Sequence, residues 1–256
     1  MNKTIKTTTR SALIATALLM PSMSHAATLT AAYDFEGNAN DGVGSNDLTL
    51  NTGSSLGTLA GRDALLVTTS AGNASVATPD SNLSIPTAGA DDGKFSIAMW
   101  MNYNSSTDQY ARAVTRSYSG GAYNIAFGSG NATTSTLAFR VNDPGFTTLS
   151  TTLTISRDTW HHVAFSFDNG AVTAWIDGVQ ETLTTPGGGS IQGGAPFVLG
   201  AGNSGSGFAG AMDDVSFFHG VLNQSEVDGL ITAVPEPSTT ALLGLGGLAL
   251  ILRRRK

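Results

Sequence analysis

Trp160-His161-His162-Val163-Ala164-Phe165-Ser166-Phe167-Asp168-Asn169-Gly170-Ala171-Val172-Thr173-Ala174-Trp175-Ile176-Asp177-Gly178 holds two alternating apolar runs with Asn169-Gly170 between them. Asn-Gly is the strongest short hairpin signal, because both residues accept the positive φ of a type I′ turn. A two-residue loop sets Asp168 opposite Ala171 and fixes the register. Val163, Phe165, Phe167, Val172, Ala174 and Ile176 then share one face, which must be buried. Ala164, Ser166, Thr173 and Trp175 share the other, with His162 opposite Asp177. Asp177-Gly178 is a second turn, so the stretch reads as a β-meander within a larger antiparallel sheet.

The flanking sequence supplies that sheet. Ala27 to Phe35 reads as a first strand and runs into Tyr33-Asp34-Phe35-Glu36-Gly37-Asn38. Leu48 to Leu50, Ala64 to Val67 and Ala74 to Ala77 are short strand candidates. Phe95 to Tyr103 alternates, with Phe95, Ile97, Met99 and Met101 on one face and Ser96, Ala98, Trp100 and Asn102 on the other. Ala111 to Ser117, Tyr123 to Phe127 and Leu137 to Val141 follow, and Asn142-Asp143-Pro144-Gly145 is a turn by composition. After the meander come a Gly-rich loop from Pro186 to Gly194, then Pro196 to Gly200 and Phe208 to Phe218. Leu222 to Ile231 reads as a helix, with Asn223 as cap, Glu226 at N3 and a Leu222–Val227 staple. The expected core contains Phe95, Ile97, Met99, Val163, Phe165, Phe167, Val172, Ile176, Val198, Val215 and Phe217.

Four of these segments, in this order, resemble laminin G-like domains of the concanavalin A-like jelly rolls. They are Tyr33-Asp34-Phe35-Glu36-Gly37-Asn38, Phe95-Ser96-Ile97-Ala98-Met99-Trp100, the Trp160 to Gly178 stretch, and a last segment that starts at Pro196 to Gly200 and continues through Phe208 to Phe218 and Leu222 to Val227. The resemblance covers Ala27 to about Ile231. It implies an all-β, two-sheet antiparallel jelly-roll sandwich with one short C-terminal helix. No internal repeat or linker interrupts it, so residues 27–233 read as one domain, between end segments 1–26 and 234–256.

Both ends read as addresses. Lys3, Lys6 and Arg10 precede the apolar run Ala12 to Met20, and Ser24-His25-Ala26 fits a small-x-small cleavage site. The expectation is a cleavable signal peptide with Ala26 at the cut and Ala27 as first mature residue. At the other end, Pro235-Glu236-Pro237, an apolar segment and Arg253 to Lys256 resemble the PEP-CTERM sorting signal of Gram-negative, often biofilm-forming, bacteria. That resemblance implies transient insertion in the inner membrane as a transmembrane segment, recognition by an exosortase, cleavage near Pro235-Glu236-Pro237, and delivery to the cell envelope, surface or extracellular matrix. Export without cysteine leaves no disulfide to staple the fold. Seven basic residues and Glu236 lie in the end segments, which leaves 6 basic and 18 acidic side chains and a net charge of −12. Such a surface repels nucleic acid and suits divalent cations or neutral polymers.

Catalytic signals are sparse. Concanavalin A-like folds include glycosidases, which need a pair of carboxylates about 5 Å apart or somewhat wider. The four glutamates, Glu36, Glu181, Glu226 and Glu236, lie far apart in sequence, and none sits in the glucanase pattern Glu-x-Asp-x-x-Glu. Asp91-Asp92 and Asp213-Asp214 are neighbours and point to opposite faces of a regular strand. His161-His162 cannot converge on one ion for the same reason. No Gly-x-Ser-x-Gly motif or phosphate loop is present. The reading is a non-catalytic module that binds extracellular polysaccharide or glycoprotein, with a structural matrix protein as the alternative and a glycoside hydrolase as the less favoured one. Trp175, on the polar face, is the candidate ligand-binding residue, because an aromatic on an open β-face stacks on sugars; the alternative is that the second sheet or a loop covers this face and makes the residue core. The family resemblance further implies a structural calcium between the first and last strands. Its candidate ligands here are Asp34, Glu36, Gly37, Asp213 and Asp214, with at most one of the two last aspartates contributing its side chain.

Overall fold

The computed structural model describes residues 26–68, 72–84, 89, 91–104, 111–116, 123–131, 133–142, 146–184, 196–200 and 208–233. The expected signal peptide before Ala26 and the sorting segment with Pro235, Glu236 and Pro237 lie outside these residues. Among the described residues, no helix is long and apolar enough to cross a membrane.

The strands are β1 (Thr28–Tyr33), β2 (Thr49–Leu50), β3 (Ser54–Leu59), β4 (Arg62–Val67), β5 (Ala74–Val76), β6 (Lys94–Tyr103), β7 (Arg112–Arg116), β8 (Tyr123–Gly130), β9 (Thr134–Asn142), β10 (Phe146–Ser156), β11 (Trp160–Asp168), β12 (Ala171–Ile176), β13 (Val179–Thr184), β14 (Phe197–Leu199) and β15 (Gly210–His219); α1 is Gln224–Thr232. One sheet runs β13-β12-β11-β6-β15-β4-β3, with β1 also pairing to β15; the other runs β10-β9-β8-β7-β14-β5-β2. Among the described residues this is the antiparallel sandwich with one α-helix that the resemblance implies.

The central hairpin forms in the expected register, from Val163 opposite Ile176 to Asp168 opposite Ala171. Asn169 and Gly170 have φ of 47° and 108°, as a turn that matches the strand twist requires. Val163, Phe165, Phe167, Val172, Ala174 and Ile176 all face the core. There they meet an aromatic cluster contributed by both sheets: Phe95 lies 5.7 Å from Phe167, 5.6 Å from Phe217 and 4.7 Å from Tyr123. Two strands were not expected from sequence. β3 is Ser-Ser-Leu-Gly-Thr-Leu, without enough apolar alternation to announce itself, and β10 is a threonine-rich edge strand. Val198 corrects the expected core. Period two along β14 sends Phe197 and Leu199 inward, so Val198 faces out and stays half-buried.

The helix starts as its sequence dictates. Asn223 Oδ1 accepts from Glu226 N (3.0 Å), and Glu226 Oε2 accepts from Asn223 N (2.7 Å), which closes a capping box. Such caps contribute about 1 kcal/mol. The entry to α1 is pinned to the sheet. Leu222 N donates to Ser96 Oγ (3.1 Å) and Ser166 Oγ (3.2 Å), and Ser96 Oγ donates to Gly220 O (2.8 Å). The helix therefore lies on the outer face of the larger sheet.

Candidate functional site

Two tryptophans share that outer face. In the ladder, Trp175 pairs with Ala164 and Ala164 with Ala98; one step along, His162 pairs with Trp100 and Trp100 with Asp213. The helix decides their fates. Trp175 is 2% exposed and packs with Ala98, Ala164, Phe218, Leu222 and Val227. Its indole Nε1 donates to Gln224 Oε1 of α1 at 3.0 Å. Trp175 is thus not the exposed stacking platform expected from sequence. The face that period two made polar is covered by an element distant in the chain.

Beyond the end of α1 the face opens into a pocket of about 240 Å³, lined by Ala98, Trp100, His162, Asp214, Ser216, Leu230 and Ala233. Trp100 is half-buried, and its ring meets His162 edge-on at 5.4 Å. Trp100 Nε1 and His162 Nδ1 are buried with no hydrogen-bond partner among the described residues. Burial holds the His162 imidazole down at about 4, against the pull of Asp177, so the ring is neutral at ordinary pH. A neutral imidazole offers one N–H and one lone pair. The two histidines take separate roles, as their adjacency requires. His161 accepts from Ser156 N with Nε2 (2.9 Å) and meets Asp177 Oδ2 with Nδ1 (2.7 Å), while His162 turns to the pocket.

Arg62 is the electrostatic centre of this corner. Its guanidinium carbon lies 4.5 Å from the Trp100 ring centre and 5.6 Å from that of Trp160. Its Nε donates to Asp213 Oδ2 (2.8 Å) and its Nη2 to Asp214 Oδ2 (2.6 Å). Both carboxylates reach one guanidinium because β15 bulges between Asp213 and Ser216, with Asp214 at φ 50°. A bulge re-aims a side chain that strict alternation would send to the far side. The expectation that only one of the pair could serve a given site is therefore corrected. Burial, and then the neighbouring Asp214, push Asp213 up to about 6 despite Arg62. Burial also raises Asp214, with Arg62 opposing and Asp34 assisting.

The expected calcium ligands come near one another without forming a metal site. Asp34 and Asp214 both raise Glu36, after burial and Asp63, so these carboxylates share a corner. Asp34, Glu36 and Gly37 are exposed turn residues, however, and Asp34 Oδ1 is used by Glu36 N at 3.1 Å. Asp213 and Asp214 already hold Arg62. Among the described residues, no group of three or more His, Asp or Glu side chains has the arrangement to hold a metal ion. The five residues do not fit calcium as they stand. The carboxylate that organises the first loop is Asp41, which accepts from Ala32 N, Val43 N and Asn46 N. Burial would raise it, but these backbone donors, together with Gly44 N, hold it below the usual carboxylate range.

Trp100, His162, Arg62 and Ser216 are the functional candidates that sequence reasoning passed over. For Trp100 the signal was present, since the alternation of Phe95 to Tyr103 sets it on the same outer face as Ser96, Ala98 and Asn102.

Known proteins share this architecture. Domain 4 of AbnA, a GH43 extracellular arabinanase from Geobacillus stearothermophilus, in complex with arabinotriose, superposes with a TM-score of 0.66 at 21% identity, over 81% of this chain and 100% of that one. The binding domain of Paraclostridial Mosquitocidal Protein 1 gives 0.64 at 17% identity, over 80% of this chain and 52% of that one. The Botulinum neurotoxin serotype G binding domain gives 0.59 at 12% identity, over 80% and 50%. This chain spans about half the length of the two toxin domains, and at these identities the likeness is one of fold. No curated protein matches the sequence. The PEP-CTERM protein-sorting motif matches residues 233–256. That motif indicates export to the cell surface or beyond and implies exosortase processing. The concanavalin A-like lectin/glucanases superfamily, as a laminin G domain, is matched over residues 70–228, and by that match and its two-sheet sandwich with an outer-face helix this chain belongs to that superfamily.

Proposed function

We propose that the mature domain is a non-catalytic module that binds extracellular polysaccharide through the pocket beside Trp100. The observation that carries this reading is the pocket's composition. A half-buried indole and a neutral imidazole sit with the Ser216 hydroxyl and the Asp214 carboxylate. Aromatic faces with a few placed polar groups are what a sugar needs, since its ring has apolar C–H faces and a hydroxyl rim. At about 240 Å³ the pocket is below the roughly 300–1,000 Å³ of drug-sized ligand sites, so it takes one ring or one chain end rather than a long oligomer. Asp214 and the acidic surface favour neutral sugars over uronates. The arabinotriose complex of a protein with this fold supports a sugar ligand.

The carboxylates support a binding role rather than hydrolysis. Glu181 accepts from Thr152 N and Leu153 N, Glu226 caps α1, and Asp213 and Asp214 hold Arg62. Exosortase would act on the segment after Ala233, with the inner membrane as a transient anchor before release to the envelope or matrix.

A glycan array with the exported, processed protein tests the reading, followed by titration of the best polysaccharide. Saturable binding that weakens in Trp100→Ala and Asp214→Asn supports it. Absence of binding across neutral glycans leaves a structural matrix protein, and release of reducing ends would make the domain an enzyme.

A further inference from the structure

We infer that signal-peptide removal does more than free the chain: it creates an ammonium group that Glu226 is placed to hold. Three observations meet at this point. Ala26 is exposed, whereas Ala27 is half-buried and lies against the apolar cluster of Trp175, Leu222 and Val227 together with Leu230 and Ile231. Ala27 N donates to Glu226 Oε1 at 3.3 Å, across 199 residues of sequence. Glu226 Oε2 is the atom that closes the capping box of α1 through Asn223 N at 2.7 Å.

The chemistry follows from the cut. Hydrolysis of the Ala26–Ala27 amide by a signal peptidase consumes one water. It leaves a carboxylate on Ala26, which departs with the leader, and an amine on Ala27, which takes a proton to become an ammonium. The neutral amide N–H that donates to Glu226 is thereby replaced by a cation at the same atom. A charge-assisted bond is roughly twice as strong as a neutral one. One carboxylate then ties the new N-terminus to the first turn of α1 and keeps its capping bond. Among the described residues, Asp91, which approaches Gly220 together with Ala27, and His219, which stands opposite Thr28 in the ladder, also lie near this amine. Both carboxylates favour the ammonium. Since α1 covers Trp175 and its far end walls the pocket, the charge that cleavage creates reinforces a helix already docked on the sheet.

The test uses the protein purified after export. Intact-mass and N-terminal sequencing should show a chain that begins at Ala27. Reductive methylation with ¹³C-formaldehyde, followed by NMR titration, reads the α-amine directly. It should titrate at least about half a unit above the usual 7.7–8.0 range of an α-amine, and return to that range in Glu226→Gln. Glu226→Asp is the second variant; it keeps the charge on a shorter side chain and should retain part of the shift. A different first residue, or an α-amine with an ordinary titration in the wild type, overturns the inference.

Discussion

The outer face of the larger sheet has two halves that differ in what covers them. Under α1 the face is dry: Trp175, Ala164, Ala98 and Phe218 close against Leu222 and Val227, and the polar groups there are used to dock the helix. Past the helix the same strands carry Trp100, His162, Asp214 and Ser216 around open space. Both tryptophans arise from the same period-two pattern. One became core and the other lines an open pocket because a nine-residue helix ends where it does. Inside and outside on a sheet are therefore set partly by elements that no local pattern contains.

The largest effect should come from the dry half. Trp175→Ala should cost about 3–5 kcal/mol by denaturant unfolding, the range for removing a buried large aromatic side chain. A cost below about 1 kcal/mol would show that α1 does not seal this half. On the open half, Arg62→Ala leaves Asp213, 3% exposed, without its cation. Breaking a fully buried pair costs about 3–5 kcal/mol, and the partial exposure of Arg62 reduces this to about 2–3 kcal/mol. Adding Asp213→Asn should recover part of the loss, and failure to do so would remove the ion pair from the account. At the boundary between the halves, Asn223→Ala should destabilise by about 1 kcal/mol through the lost cap. If α1 walls the pocket, the same change should also loosen ligand binding.

A smaller effect separates the two sites by pH. His162 has its folded value lowered to about 4, so its contribution is complete above its unfolded value of about 6.5 and is lost as pH falls through 4. Asp213 acts the other way. Its folded value is raised to about 6, so it favours the folded state increasingly as pH falls from 6 towards its unfolded value near 3.9. The difference in Tm between wild type and His162→Gln should therefore grow less favourable to the wild type between pH 6.5 and 4. A flat difference curve would place His162 outside any buried role.

Much of the fold was legible because its signals are local. Asn169-Gly170 sets a register, alternation sets a face, and Asn223 with Glu226 sets a cap. The site was less legible because three of its determinants are not local. The covering of Trp175 depends on a helix some fifty residues later. The serines Ser96 and Ser166 lie on the face opposite the core, yet they are buried where they receive the backbone of Leu222. The bulge at Asp214 has no apolar signature, so alternation sent one carboxylate to the wrong side and left Arg62, alone between Gly61 and Asp63 in the sequence, without a visible partner.

Titration of the best neutral polysaccharide into wild type, Trp100→Ala and Asp214→Asn, alongside the melting temperature of each, tests the central claim most directly. Trp100→Ala should weaken binding about tenfold or more, equivalent to about 1.4 kcal/mol, with a smaller loss of stability than Trp175→Ala, and Asp214→Asn should weaken it as well. Unchanged affinity in both variants, with the ligand still bound, would place the sugar elsewhere on the domain.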